Sequence, residues 1–228
     1  KIETNGQRFD GAVAERLARF PIRPVQVSLD GDTQATYERQ RPGASLAKAH
    51  AACRAARDAG LPLEITFAPT RINIDEAPLV VERARELGAF RLNSGRLMHM
   101  GTAVRTWSRL EPTEIQYEAF RDMLQRKAAL HQGTLELCYV PFDIEEGLRA
   151  SLTTPPATLL VLPNGWVKVA AALPHVCADL RKDSLAHAWE AYRSAWRNDT
   201  VLAAVRDAIG DRSRHAQANT WRLLSTAV

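Results

Sequence analysis

The chain predicts an α/β fold built on a parallel sheet. Short apolar segments alternate with helical patterns from residue 1 to about residue 142, and the turn signals between them are only a few residues long. Alternation of this kind implies parallel strands joined by right-handed crossovers, hence an α/β barrel segment or a doubly wound sheet. The composition agrees. The chain has 228 residues, 46% of them hydrophobic, enough for one large domain or a domain with an appendage.

The first helix is expected from Asp10 to Arg19, where Val13, Leu17 and Phe20 recur at helical spacing before Pro21 and Pro24. Val25-Gln-Val-Ser-Leu29 reads as a short buried strand, followed by Asp30-Gly31 and a polar run that closes on Arg41. An alanine-rich helix spans Ala44 to Ala59 and stops at Gly60, and Leu61 to Ala68 is the next strand. Asn73 to Asp75 is expected to cap a helix from Glu76 to Leu87 that ends at Gly88. Phe90 to Ser94 is another strand. A linker containing Met98, His99, Met100 and Trp107 leads to a helix capped at Thr113, and Thr134 to Phe142 is a further strand. Glu145 to Ser151 is a turn or short helix.

At Pro155-Pro156 the character changes. Pro163-Asn164-Gly165 between two apolar segments is a hairpin signal, and two helices follow, Ser184 to Arg197 and Thr200 to Ile209. The domain boundary is therefore expected near Pro155, giving 1–154 and 155–228. Trp189, Tyr192 and Trp196 repeat at helical intervals, which suits the appendage core and, as a sharper reading, a peptide-binding surface.

Several function classes lose support. The net charge of +4 is spread among nearly equal numbers of acids and bases, which argues against a dedicated nucleic-acid surface and suits an anionic ligand or an acidic peptide. No apolar run reaches the length of a membrane span and no signal-peptide pattern opens the chain, so the cytoplasm is the expected location. Cys53, Cys138 and Cys177 lie too far apart for a local metal knuckle, and no metal ligand is assigned. His99 and His175 lack a partner at metal-binding spacing, and the hydrolase, zinc-peptidase and nucleotide-loop motifs are missing.

What remains is a set of polar residues. Asn5, Ser28, Asp30, Thr66, Asn73 and Asn93 all fall near the C-terminal ends of predicted strands, which in a parallel sheet share one rim. Arg41, before Pro42-Gly43, is placed to reach a carboxylate from that rim, as is Arg39. Singly, each is also a plausible turn, cap or solvated surface residue.

The order of these pieces resembles the radical S-adenosylmethionine enzymes of the SPASM or twitch subgroup, which includes maturases of peptides and of pyrroloquinoline quinone. Thr4-Asn5-Gly6 is similar to that family's TNG, and Val27-Ser-Leu-Asp-Gly31 to its VSLDG. Tyr37-Glu38 and Arg41 stand where the family has His-Asp and Arg. Ala59-Gly-Leu-Pro62 with Ile65-Thr66 through Asn73, and Glu86-Leu-Gly88, resemble its next segments. In the appendage, Leu162-Pro-Asn-Gly165, Ala178-Asp-Leu180, Ser184-Leu185 and Trp189 do so too.

The resemblance implies a partial (β/α) barrel carrying an α+β appendage, S-adenosylmethionine and a [4Fe-4S] cluster as cofactors, and a peptide or peptide-derived substrate. It implies that Ser28 bonds the methionine or ribose part of the cofactor, that Arg41 pairs with its carboxylate and that Asn73 lies near the adenosyl group. Asp30 would orient the rim or approach substrate, while Asn5 and Thr66 complete the cofactor set. No catalytic residue is singled out. The CxxxCxxC cluster loop is expected upstream of Lys1, and the appendage is expected to lack auxiliary clusters, since Ala170 stands near the expected cysteine and no cysteine follows Cys177. Two other readings stay open: a cluster-less relative that recognises a precursor peptide or partner enzyme, and an unrelated α/β barrel enzyme.

Overall fold

The computed structural model describes residues 1–224. In chain order the elements are β1 (Ile2–Thr4), α1 (Gly11–Leu17), β2 (Val25–Ser28), α2 (Gln34–Gln40), α3 (Leu46–Asp58), β3 (Leu63–Phe67), α4 (Ala77–Glu86), β4 (Arg91–Gly95), α5 (Trp107–Leu110), α6 (Glu114–Leu130) and β5 (Glu136–Val140). After these come α7 (Ile144–Thr153), β6 (Leu160–Val161), β7 (Trp166–Lys168), β8 (His175–Asp179), α8 (Leu185–Ala195), α9 (Asp199–Gly210) and β9 (Arg222–Leu223). The chain forms two compact units, one of Lys1–Leu97 with Arg109–Pro141, the other of Met98–Ser108 with the residues from Phe142 onward.

In the first unit β1 to β5 pair in parallel and in sequence order, β1-β2-β3-β4-β5. This order decides between the two architectures the sequence leaves open. A doubly wound sheet reverses direction at a switch point, whereas strands added always on the same side send every right-handed crossover to one face, as in a barrel. The helices accordingly line one face of the sheet. Val25, Val27, Leu63, Ile65, Phe67 and Leu92 project there and pack with Ala49, Ala52, Cys53 and Ala56 of α3, Val80, Val81 and Ala84 of α4, and Phe120 and Leu124 of α6.

The other face is polar. Gln26 and Ser28, Glu64 and Thr66, Arg91 and Asn93, and Glu136 and Cys138 occupy matching register positions on β2 to β5. The second segment is the short buried strand expected, with Gln26 and Ser28 on its polar face. Cys138 lies on this polar face, where its thiol donates to Glu136 Oε1 at 3.3 Å.

Local chemistry explains most of the boundaries. Asp10, Thr33, Ser45, Thr113, Asp143, Ser184 and Asn198 each cap the helix that follows, their side chains accepting from a first-turn N–H. Gly88 takes φ +82°, the conformation expected beyond a helix end. Asn73 is different: its side chain caps nothing, and a 3₁₀ turn, Ile74–Glu76, precedes α4 instead. Phe20, read as a core position of the first helix, lies beyond α1 and is exposed.

The second unit holds a four-stranded sheet in the order β6-β7-β8-β9. Its hairpin turns at Gly165, φ +85°, where the Asn-Gly signal lies. Tyr192 and Trp196 are buried with Val201 and Val205, and Trp189 packs at the edge of the same core. Lys168 is buried as well, its ammonium donating to the carbonyls of Ala171 at 2.9 Å and Ala218 at 2.7 Å, and burial lowers its pKa. The units divide after Pro141 and not near Pro155, because Ile144 and Leu148 of α7 belong to this second core.

Candidate functional site

The rim at the C-terminal end of the parallel sheet is assembled by hydrogen bonds between the loops that leave β2 and β3. Asp30 follows β2 and is only 2% exposed. Its Oδ1 accepts from the Ala68 amide at 2.9 Å, which clasps the end of β2 to the end of β3. Its Oδ2 accepts from Arg41 Nε at 2.6 Å and forms an ion pair with Nη2, also at 2.6 Å. Arg41 is the C-cap residue of α2, its amide bonded to Tyr37 O at 2.8 Å, so guanidinium and backbone are both held.

The loop between Asp30 and α2 is fastened from α4's side. The Glu76 carboxylate accepts from Asp32 N at 2.7 Å, Thr33 N at 3.1 Å and Thr33 Oγ1 at 2.8 Å. These bonds outweigh its partial burial and lower its pKa. Gly31 sits inside this knot: a Cβ there would lie 3.0 Å from Tyr37 N and 3.3 Å from Glu76 Oε2. Below it, buried Tyr37 reaches the Ser28 carbonyl at 3.4 Å, and burial raises its phenol pKa although Arg41 pulls the other way.

Asn73 braces the same loops. Its Nδ2 donates to the carbonyls of Asp30 at 3.1 Å and Ala68 at 3.0 Å, and its Oδ1 accepts from Thr70 N at 2.7 Å and Thr70 Oγ1 at 3.0 Å. Both ends of the amide are occupied, so in this geometry Asn73 shapes the rim and has no donor hydrogen left for a ligand.

Ser28 and Thr66 stand side by side at the top of the polar face, in one register row with Asn93 and Cys138. Thr66 Oγ1 is buried and has no hydrogen-bond partner. A hydroxyl left so costs about 1–3 kcal/mol, which marks the spot as one that a polar ligand group would satisfy.

Of the six residues expected to bind a cofactor, the structure brings Asp30, Arg41 and Asn73 together directly and sets Ser28 beside Thr66. Asn5 stands apart. It is exposed in the turn after β1, where its Oδ1 accepts from Gln7 N at 3.1 Å. Next to it Gly6, φ +73°, lies against α3, since a Cβ would come within 3.1 Å of Ala49 Cα and of Ala52 Cβ.

Sequence reasoning missed the layer beneath. Glu64, buried, accepts from Arg91 Nη1 at 3.0 Å and Asn93 Nδ2 at 3.0 Å, and forms an ion pair with Lys1 Nζ at 2.7 Å. Asn93 Nδ2 also donates to Gln26 Oε1 at 3.1 Å. The signal was the alternation of Leu63-Glu-Ile-Thr-Phe67, where the two polar side chains share one face.

The residues present fit S-adenosylmethionine: a half-buried guanidinium for a carboxylate, with a serine and an unpartnered threonine hydroxyl for polar groups nearby. They do not fit an iron–sulfur cluster. Cys53, Cys138 and Cys177 are dispersed free thiols, and burial raises the pKa of each, Cys53 to about 12 and Cys177 to about 11. Among the described residues no group of three or more His, Cys, Asp or Glu could hold a metal ion.

No family model matches the chain. It is 36% identical over 143 residues to a PqqA peptide cyclase of Streptomyces rochei, covering 62% of this chain and 39% of that one. To the PqqA peptide cyclase of Ruegeria pomeroyi it is 29% identical over 211 residues, covering 89% and 54%. The mycofactocin maturase MftC of Mycobacterium ulcerans is 34% identical over 128 residues, covering 56% and 34%. The chain thus spans at most about half the length of these curated relatives. Among solved structures, Streptococcus suis SuiB bound to precursor peptide SuiA superposes with a TM-score of 0.66 at 11% identity, covering 90% of this chain and 49% of that one, which shows a shared fold. Rim motifs, strand order and relatives together place the chain among the relatives of the radical S-adenosylmethionine peptide maturases of the SPASM/twitch type.

Proposed function

We propose that the chain is the S-adenosylmethionine-facing portion of a radical enzyme that modifies a peptide or peptide-derived substrate. The first compact unit is the C-terminal part of a partial (β/α)6 barrel, and the second a SPASM-like appendage without cluster cysteines. The observation that carries this reading is the rim itself, where Ser28, Thr66 and the Asp30–Arg41 pair converge at the C-terminal ends of adjacent parallel strands. Relatives named for PqqA peptide cyclisation and mycofactocin maturation, and a fold neighbour solved with a precursor peptide, support a peptide as substrate.

S-adenosylmethionine, reductively cleaved at a [4Fe-4S] cluster, would supply a radical that abstracts a substrate hydrogen. This chain's residues bind and orient. Arg41 holds the carboxylate, Ser28 and Thr66 hydrogen-bond polar groups of the cofactor, and Asn73 keeps the rim in shape. The three dispersed cysteines of the described residues do not fit the cluster site. No helix of the described residues is long and apolar enough to cross a membrane, and we place the protein in the cytoplasm.

Anaerobic reconstitution of the full-length protein with iron and sulfide tests the reading. Iron incorporation, S-adenosylmethionine binding and release of 5′-deoxyadenosine under reduction are expected; absence of all three sinks it. A second reading is a cluster-less protein that recognises a precursor peptide or partner enzyme. Peptide capture without iron would select that one.

A further inference from the structure

Arg41 is gripped along one edge only. Asp30 Oδ2 accepts from Nε and pairs with the charge at Nη2, while Nη1 makes no hydrogen bond among the described residues and the side chain remains 31% exposed. A guanidinium has two edges that match a carboxylate, and the Nη1/Nη2 edge is left for an incoming one. Asp30 itself cannot swing, being buried with Oδ1 on the Ala68 amide.

We propose that Asp30 is a positioning residue, which fixes the Arg41 guanidinium by its Nε edge so that the opposite edge is held ready for the carboxylate of the bound cofactor. The inference rests on the proposed cofactor reading. Two effects of Asp30 oppose each other. Its charge repels a second carboxylate across the guanidinium, but it also orders a side chain that otherwise carries large rotamer entropy. Ordering dominates, because the guanidinium stands between the two carboxylates and the pair is partly open to solvent, where repulsion is screened.

The conservative replacement Asp30→Asn separates the two effects. The Ala68 N–H needs an acceptor, so the new amide turns its oxygen that way and its NH2 group toward Arg41, donor against donor, and the guanidinium is released. In the full-length, cluster-loaded protein, calorimetric affinities for S-adenosylmethionine and for its decarboxylated analogue give the preference due to the carboxylate. We expect Asp30→Asn to reduce that preference by about tenfold with little change for the analogue. Arg41→Lys should reduce it similarly, and Asp30→Asn should add nothing in the Arg41→Lys background.

An unchanged or larger preference in Asp30→Asn overturns the proposal, as does full additivity in the double variant. Should Asp30→Asn fail to fold, the Arg41 Nε–H signal of the wild-type protein decides: it stays ordered on cofactor binding if Asp30 keeps its grip, and loosening overturns the proposal. A wild-type protein that binds neither compound rejects the cofactor reading itself, and this inference with it.

Discussion

Asn73 uses both ends of its amide on the loops around it, and Thr66 uses nothing of its hydroxyl, so the two residues should answer substitution in opposite ways. Asn73→Ala strands the buried Thr70 N–H and removes donors from two carbonyls. It should cost about 3 kcal/mol in urea unfolding. Thr66→Val removes a buried hydroxyl that has no partner, at nearly constant shape. It should leave the free protein as stable or about 1 kcal/mol more so, and weaken S-adenosylmethionine binding. If it lowers stability instead, the hydroxyl has a partner. Asn5→Ala, in an exposed turn, should shift stability by no more than about 0.5 kcal/mol. From sequence these three residues looked alike, as polar residues near strand ends. Only the loop paths tell a brace from a vacant donor and a local turn.

At the scale of elements, α4 and α6 are joined through Glu82. Its carboxylate accepts from Lys127 and, at 2.8 Å, from His131 Nε2. The lysine and then the histidine hold its pKa near 2, well below the ordinary 4.5. A depressed carboxylate pKa adds stability above the unfolded value that is lost as pH falls, here between about 4.5 and 2. Glu82→Gln should lower stability in the neutral region and flatten the acid limb of the stability curve in that window, the two proteins converging below about pH 2. A limb of unchanged steepness would assign the loss to other carboxylates.

Elements differ in how far the sequence declared them. Helices with a Ser, Thr, Asp or Asn cap and a clear apolar stripe fell where expected, α6 with its full capping box among them. Helix α2 did not show, because Gln34 to Gln40 has no apolar stripe beyond Tyr37; Thr33 and Glu76 fix its start from outside the pattern. The short β8 and β9 pair across long separations and left no local mark.

The architecture of the whole molecule was half legible. Alternation of strand and helix announced a parallel sheet, but a barrel segment and a doubly wound sheet share that pattern, and strand order alone separates them. The unit boundary was misplaced by the conspicuous Pro155-Pro156, while the apolar stripe of α7, which sets the division, lies before it. The polar face was written plainly in the alternation of β2 to β5, yet single residues at strand ends drew attention away from it.

The central claim is that ligand chemistry belongs to the C-terminal rim of the first unit. Hydrogen–deuterium exchange of the full-length protein with and without S-adenosylmethionine tests it most directly. Protection is predicted in residues 29–41 and 67–73, the loops that Asp30, Arg41 and Asn73 tie together. Protection confined to the opposite rim, in residues 18–24, 59–62 and 88–90, would contradict the account.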